Sequence, residues 1–129
     1  MARILIVEDN PDNMKLFTAI LGHGGHEVTG LYSGEGLAAA LSNIKPDLVL
    51  MDIQLPGRDG FELLAEIRKS PWAAVRVLAL TAHAMTGDRE KAKKAGFDDY
   101  ITKPIDIASF PTEIARALAG QPLDRREPR

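Results

Sequence analysis

The chain has 129 residues, the size of one compact domain, with 45% hydrophobic and 26% charged residues, as a self-folding globular core requires and wholesale disorder does not. Sixteen Lys and Arg against eighteen Asp and Glu give a formal net charge of -2, which offers no basic field for nucleic acid or anionic lipid. Cysteine is absent, which excludes disulfides, thiolate metal sites and a cysteine nucleophile; Met1-Ala2-Arg3 runs straight into Ile4, too short a start for a signal peptide or membrane span, so a cytoplasmic location is expected.

The first apolar run, Ile4 to Val7, reads as a strand covered on both faces. Asn10-Pro11 follows as an N-cap and first-turn proline, opening a helix that carries Met14, Leu16, Phe17, Ile20 and Leu21 and is stopped by Gly22 to Gly25. Glu27 to Tyr32 is a second strand, mixed enough to lie at a sheet edge. Leu37, Leu41 and Ile44 mark a second helix before Pro46, Leu48 to Met51 a third strand, and Phe61, Leu64, Ile67 and Arg68 a third helix before Pro71. Val77 to Leu80 is a fourth strand, Gly87-Asp88 caps a fourth helix, and Asp99 to Thr102 is a fifth, edge-like strand. The last helix carries Ile107, Phe110, Ile114, Ala117 and Leu118. Residues 1–119 are therefore expected to form the domain, with 120–129 as a frayed polar tail.

Five βα units without an internal repeat predict an α/β fold, a doubly wound five-stranded parallel sheet. Such sheets bind ligands beyond the carboxyl ends of their strands. The residues there are Glu8-Asp9, Asp52, Thr81-Ala82 and Lys103-Pro104. Carboxylates gathered in one crevice repel one another, which raises a pKa or recruits a cation. Mg²⁺ suits Glu8, Asp9 and Asp52, because it takes carboxylate oxygens and commonly shares its remaining positions with phosphate. With Lys103 and the Thr81 hydroxyl to hold phosphoryl oxygens, Asp52 is the candidate nucleophile, giving an acyl phosphate.

Val7-Glu8-Asp9-Asn10, Leu50-Met51-Asp52-Ile53-Gln54-Leu55-Pro56 with Gly60, Leu80-Thr81-Ala82, Gly96 and Tyr100-Ile101-Thr102-Lys103-Pro104 stand in this order on these elements. Together they resemble the receiver domains of two-component response regulators over nearly the whole chain. The resemblance implies a flavodoxin-like strand order, 2-1-3-4-5. It also implies a phosphohistidine donor, either a histidine kinase or a histidine phosphotransfer protein, and metal ligation by Asp9, Asp52 and the Gln54 main-chain carbonyl, with Glu8 acting through water. Thr81 would swing to a phosphoryl oxygen while Tyr100 moves from an exposed to a buried position. Lys103-Pro104 is a candidate cis peptide, although local preference alone favours trans. Asn13-Met14-Lys15-Leu16-Phe17 and Thr81-Ala82-His83-Ala84-Met85 are further similar to single-domain cell-cycle regulators of the DivK type and to receiver modules of hybrid kinases.

No appended effector domain is evident, so the expected output is a change in protein–protein contacts. Its surface would combine the helix near Gly87, the strand holding Tyr100 and the final helix, with Lys91, Lys93 and Lys94 adding positive charge. These lysines read singly as solvated side chains, and His23 and His26 as loop residues. Gln54 and His83, two positions beyond Asp52 and Thr81, are expected to tune the acyl-phosphate lifetime by positioning or excluding water. The chain would thus catalyse only its own phosphoryl transfer and dephosphorylation.

Three competing functions use overlapping chemistry. An Mg²⁺-dependent aspartyl-phosphate phosphotransferase or phosphatase would employ the same carboxylates, but the chain lacks a substrate cap and carries Gln54 where haloacid-dehalogenase-like phosphatases use a second aspartate. A flavodoxin-like cofactor carrier needs a glycine-rich phosphate loop, whereas Glu8-Asp9-Asn10-Pro11 would repel phosphate without a metal. A phosphate sink without conformational output differs from a switch only in its partners.

Overall fold

Continuous runs of Ile, Leu and Val can be buried only where helices cover both faces of a strand. In the computed structural model, residues 2–55, 60–82, 86–121 and 123 are described, residues 86–89 by their backbone alone. The chain runs β1 (Arg3–Val7), α1 (Pro11–His23), β2 (Glu27–Leu31), α2 (Leu37–Ile44), β3 (Leu48–Asp52), α3 (Gly60–Arg68), β4 (Arg76–Thr81), α4 (Thr86–Ala95), β5 (Asp99–Thr102) and α5 (Phe110–Leu118). The five strands form one sheet in the order β2-β1-β3-β4-β5, and every pairing is parallel. This is the doubly wound order expected, with the mixed strands β2 and β5 at the edges.

Strand side chains alternate between faces, so each apolar run feeds two cores. Leu5, Val7, Val49, Met51, Val77 and Ala79 pack with α2 and α3 on one face. Ile4, Ile6, Leu48, Leu50, Leu78 and Leu80 pack on the other with α1 and α5, where the Phe17 and Phe110 rings lie 5.6 Å apart. No described helix is long and apolar enough to cross a membrane.

Local chemistry sets the start of α1. Asn10 has extended backbone, and its side-chain oxygen accepts from the N–H groups of Asp12 at 2.9 Å and Asn13 at 3.1 Å, with Pro11 in the first turn. Two donors that no intrahelical carbonyl can reach are thereby satisfied.

The strands keep their expected places to within a residue at either end, and three helix limits differ from the sequence reading. α1 continues through Gly22 to His23 and ends at Gly24, whose N–H reaches back to Ile20 O. α4 begins at Thr86, so Gly87 and Asp88 lie in its first turn instead of capping it. Ile107 precedes α5 and is 61% exposed, because Asp106 turns the chain there by accepting from Ala108 N–H and Phe110 N–H before the helix begins. Beyond α5, Leu123 is buried in the α1/α5 core and its N–H donates to Asp99 Oδ2 at 3.2 Å, which holds the chain on the body at that residue.

Candidate functional site

The carboxyl ends of β1, β3 and β5 bring together two carboxylates and one ammonium. Glu8 follows β1 and is fully buried; its backbone N–H donates to Leu31 O, and its Oε2 accepts from Asn10 N–H at 3.1 Å. Asp52 ends β3 and is 1% exposed, with Oδ1 accepting from Gln54 N–H at 2.8 Å. Lys103 follows β5, and its Nζ donates to Asp52 Oδ2 at 2.8 Å and to Glu8 Oε1 at 3.2 Å. Its N–H donates to Thr81 O at 2.7 Å, and the Lys103–Pro104 peptide is cis. Thr81 ends β4 and is buried in register with Thr102.

Asp9 completes the cluster from an exposed position, with carboxylate oxygens of Glu8, Asp9 and Asp52 all within 4.8 Å of one another. Burial raises the pKa of Glu8 and the neighbouring charge of Asp52 adds to this, while the Asn10 N–H and Lys103 pull the other way; the net shift is upward. Burial alone would lower the pKa of Lys103, but its hydrogen bond and attraction to Asp52 and Glu8 prevail and raise it. Three carboxylates facing one ammonium leave uncompensated negative charge. All-oxygen donors with such a charge fit a hard dication such as Mg²⁺.

The start of α3 is set against this site by close packing. Gly60 N–H donates to Ile53 O at 3.2 Å, and a Cβ on Gly60 would stand 2.6 Å from Ile53 Cα and 2.7 Å from Asp52 O. Only glycine permits that approach of backbone to backbone. The motif position has a steric cause that the sequence reading did not supply.

Other candidates are placed differently. Tyr100 is 4% exposed, already in the inner position that the expected switch would assign to the phosphorylated form. Its cross-strand partner is Ala79, and Ala92 lies in the same core cluster, so small neighbours leave room for the ring. Lys91 is exposed but not merely solvated: its Nζ lies 5.1 Å from the centroid of the Phe61 ring, which meets Phe97 edge-on. Lys93 and Lys94 are exposed, as is Gln54; His83 and Pro56 lie outside the described residues. His26 accepts from Ala2 N–H, and His23 is exposed.

Sequence reasoning gave Arg68 no role beyond a helix face. Its guanidinium in fact reaches four other residues, among them Gly96 and Asp98, and the only sequence signal was a charged residue directly after the apolar stripe.

Comparison with known proteins agrees with this geometry. The family model described as the response regulator receiver domain matches residues 4–115. Protein PilH of Pseudomonas aeruginosa is 39% identical over 121 residues, spanning 93% of this chain and 100% of PilH. The polar-differentiation response regulator DivK of Brucella ovis is 42% identical over 114 residues, spanning 83% of this chain and 88% of DivK. Among solved structures, the receiver domain of a Pseudomonas aeruginosa PAO1 sensor histidine kinase, crystallised with magnesium coordinated in its active-site cleft, is 36% identical with a TM-score of 0.82, covering 92% of this chain and 98% of that one. Fold, strand-end chemistry and family match converge: the chain belongs to the receiver domain family of two-component response regulators.

Proposed function

We propose that this domain accepts a phosphoryl group on Asp52 from the phosphohistidine of a histidine kinase or histidine phosphotransfer protein, and that the phosphorylated form binds protein partners differently. The observation that carries the reading is Asp52 Oδ2 held 2.8 Å from Lys103 Nζ beside Glu8 and Asp9. An Asp52 carboxylate oxygen attacks phosphorus, the new O–P bond forms as the P–N bond to the donor imidazole breaks, and the imidazole nitrogen takes the bond's electron pair. Asp9, Asp52 and the Gln54 carbonyl would hold Mg²⁺, with Glu8 acting through water, and the ion would supply neutralising charge for the transfer. Lys103 holds a phosphoryl oxygen, and the Thr81 hydroxyl another.

The return reaction is attack of water on phosphorus, which restores the Asp52 carboxylate and releases phosphate. Gln54 and His83 position or exclude that water.

One charge-assisted hydrogen bond contributes about 1.5–3 kcal/mol, whereas reversing a population of about 1:99 takes about 5.5 kcal/mol. Thr81 therefore acts together with Lys103, the metal and the partner. Partners are read at the α4, β5 and α5 surface that carries Lys91 and backs onto Tyr100.

Incubation with a small phosphodonor, with and without Mg²⁺, tests the reading by intact mass. A hydroxylamine-sensitive gain of one phosphoryl group that needs Mg²⁺ is expected, and it is lost in Asp52→Asn. Equal labelling of that variant would overturn the assignment.

A further inference from the structure

Along its described side chains, α4 turns little apolar surface to the body. Of its residues 90–95, Ala92 is buried and the others are exposed. A stretch so sparsely packed is among those most easily displaced.

At the C-terminal end, Arg68 forms a clasp. Arg68 Nε and Nη2 donate to Gly96 O at 3.2 and 2.7 Å, and Nη2 also meets Asp98 Oδ2 at 3.1 Å. Nη1 donates to Ala73 O at 2.8 Å and Val75 O at 2.6 Å, in the segment between α3 and β4. One side chain at the end of α3 thus joins the α3–β4 connection to the α4–β5 turn. Arginine's planar fork with several fixed donors suits this task, and the single ammonium of lysine does not.

The turn it grips is itself closely specified. Gly96 has φ +113, where a side chain is strained, and its N–H donates to Lys93 O while Phe97 N–H donates to Ala92 O. Asp98 N–H donates to Val77 O, and Asp98 Oδ2 accepts from Val77 N–H at 2.8 Å as well as from Arg68. Phe97 is buried against Phe61 of α3. The root of α4 is therefore pinned to both α3 and β4, while its opposite end follows Thr81 by a few residues along the chain.

We propose that Arg68 anchors the C-terminal root of α4, so that a change at Asp52 and Thr81 displaces the helix at its N-terminal end while the root stays in place. This rests on the receiver function proposed above. Arg68 is then a positioning residue for the output: it touches neither Asp52 nor its ligands, yet it decides which part of α4 moves. Without the clasp, the same event at Asp52 would spread through the whole helix and the α4–β5 turn.

Hydrogen exchange of the full chain, with Mg²⁺ and with or without beryllium fluoride as phosphoryl mimic, tests this in wild type, Arg68→Lys and Arg68→Met. In wild type the mimic is expected to change protection at the start of α4 and leave Gly96, Phe97 and Asp98 unchanged. Without the mimic, both variants should exchange those three amides faster by about tenfold or more, and the single tryptophan, Trp72, which lies between Ser70 and the clasped Ala73 and Val75 carbonyls, should report the loosened segment by fluorescence. With the mimic, the variants' changes should extend along α4 into the turn. A purely structural role would lower protection equally in both states and keep the mimic's effect confined to the start of α4, contradicting the proposal. Wild-type protection of Gly96, Phe97 and Asp98 in Arg68→Lys would also overturn it, as would equal changes at both ends of α4 in wild type. Absence of an Asp52 adduct would remove the receiver function and the displacement with it, a failure separate from that of the anchor, which the mimic-free comparison decides.

Discussion

Lys103 Nζ lies 2.8 Å from Asp52 Oδ2, a contact between residues 51 positions apart that exists because β3 and β5 run parallel and end on the same side of the sheet. The ammonium also holds Glu8, so in the metal-free protein it is the counter-charge of two buried carboxylates.

Removing one partner of a buried ion pair leaves the other charge without compensation. Lys103→Met is expected to lower stability to urea by about 3 kcal/mol in chelator. Because Mg²⁺ supplies replacement charge, adding it should recover more stability in the variant than in wild type. Identical Mg²⁺ effects on the two proteins would contradict the shared-charge account.

Both shifted groups make stability fall as pH rises, Glu8 on the acid side and Lys103 on the alkaline side. Glu8 has its folded pKa raised above 4.5, so the folded protein binds its proton more tightly, and stability falls as pH rises from 4.5 through the folded value. Lys103 has its folded pKa raised above 10.5; its stabilisation is complete below 10.5 and is lost as pH rises through the folded value. Urea titrations in chelator should therefore show the acid-side slope vanish in Glu8→Gln and the alkaline-side loss vanish in Lys103→Met. Protons also compete with the metal at Glu8, so Mg²⁺ affinity measured by calorimetry should weaken as pH falls toward the Glu8 titration. An affinity independent of pH across that range would count against a metal beside Glu8.

Gly60→Ala places a methyl group 2.6 Å from the Ile53 Cα, and since that neighbour is backbone the start of α3 must shift. A loss of about 1–3 kcal/mol is expected on overpacking grounds. Slower labelling of Asp52 should accompany it, because the shifted backbone is the one that carries the Gln54 N–H to Asp52 Oδ1. Wild-type stability in this variant would show that the approach is not as close as described.

The sheet was legible in the sequence because its evidence is local: three nearly unbroken apolar runs, two mixed ones, and acidic or basic residues directly after them. Once the strands are parallel in one sheet, Glu8, Asp52 and Lys103 all leave its carboxyl end, and the long lysine side chain reaches past β4 to the two carboxylates. Most of what escaped depends on contacts distant in sequence. Tyr100 is buried because Ala79 stands opposite it, and Leu123 is buried because the chain doubles back to Asp99. Ile107 looked like a core residue by helical spacing, but Asp106 turns the chain before the helix begins. The cis state of Lys103–Pro104 is likewise a property of the assembled site, since local preference favours trans. Arg68 carried no motif at all, and its partners lie on segments that only the fold brings together.

The most direct test of the central claim is the mass of the protein after treatment with a small phosphodonor, in wild type and Asp52→Asn, with Mg²⁺ and with chelator. The account predicts one hydroxylamine-sensitive phosphoryl group on wild type with Mg²⁺, and none in the other three cases. Equal labelling of Asp52→Asn, or labelling indifferent to Mg²⁺, would contradict it.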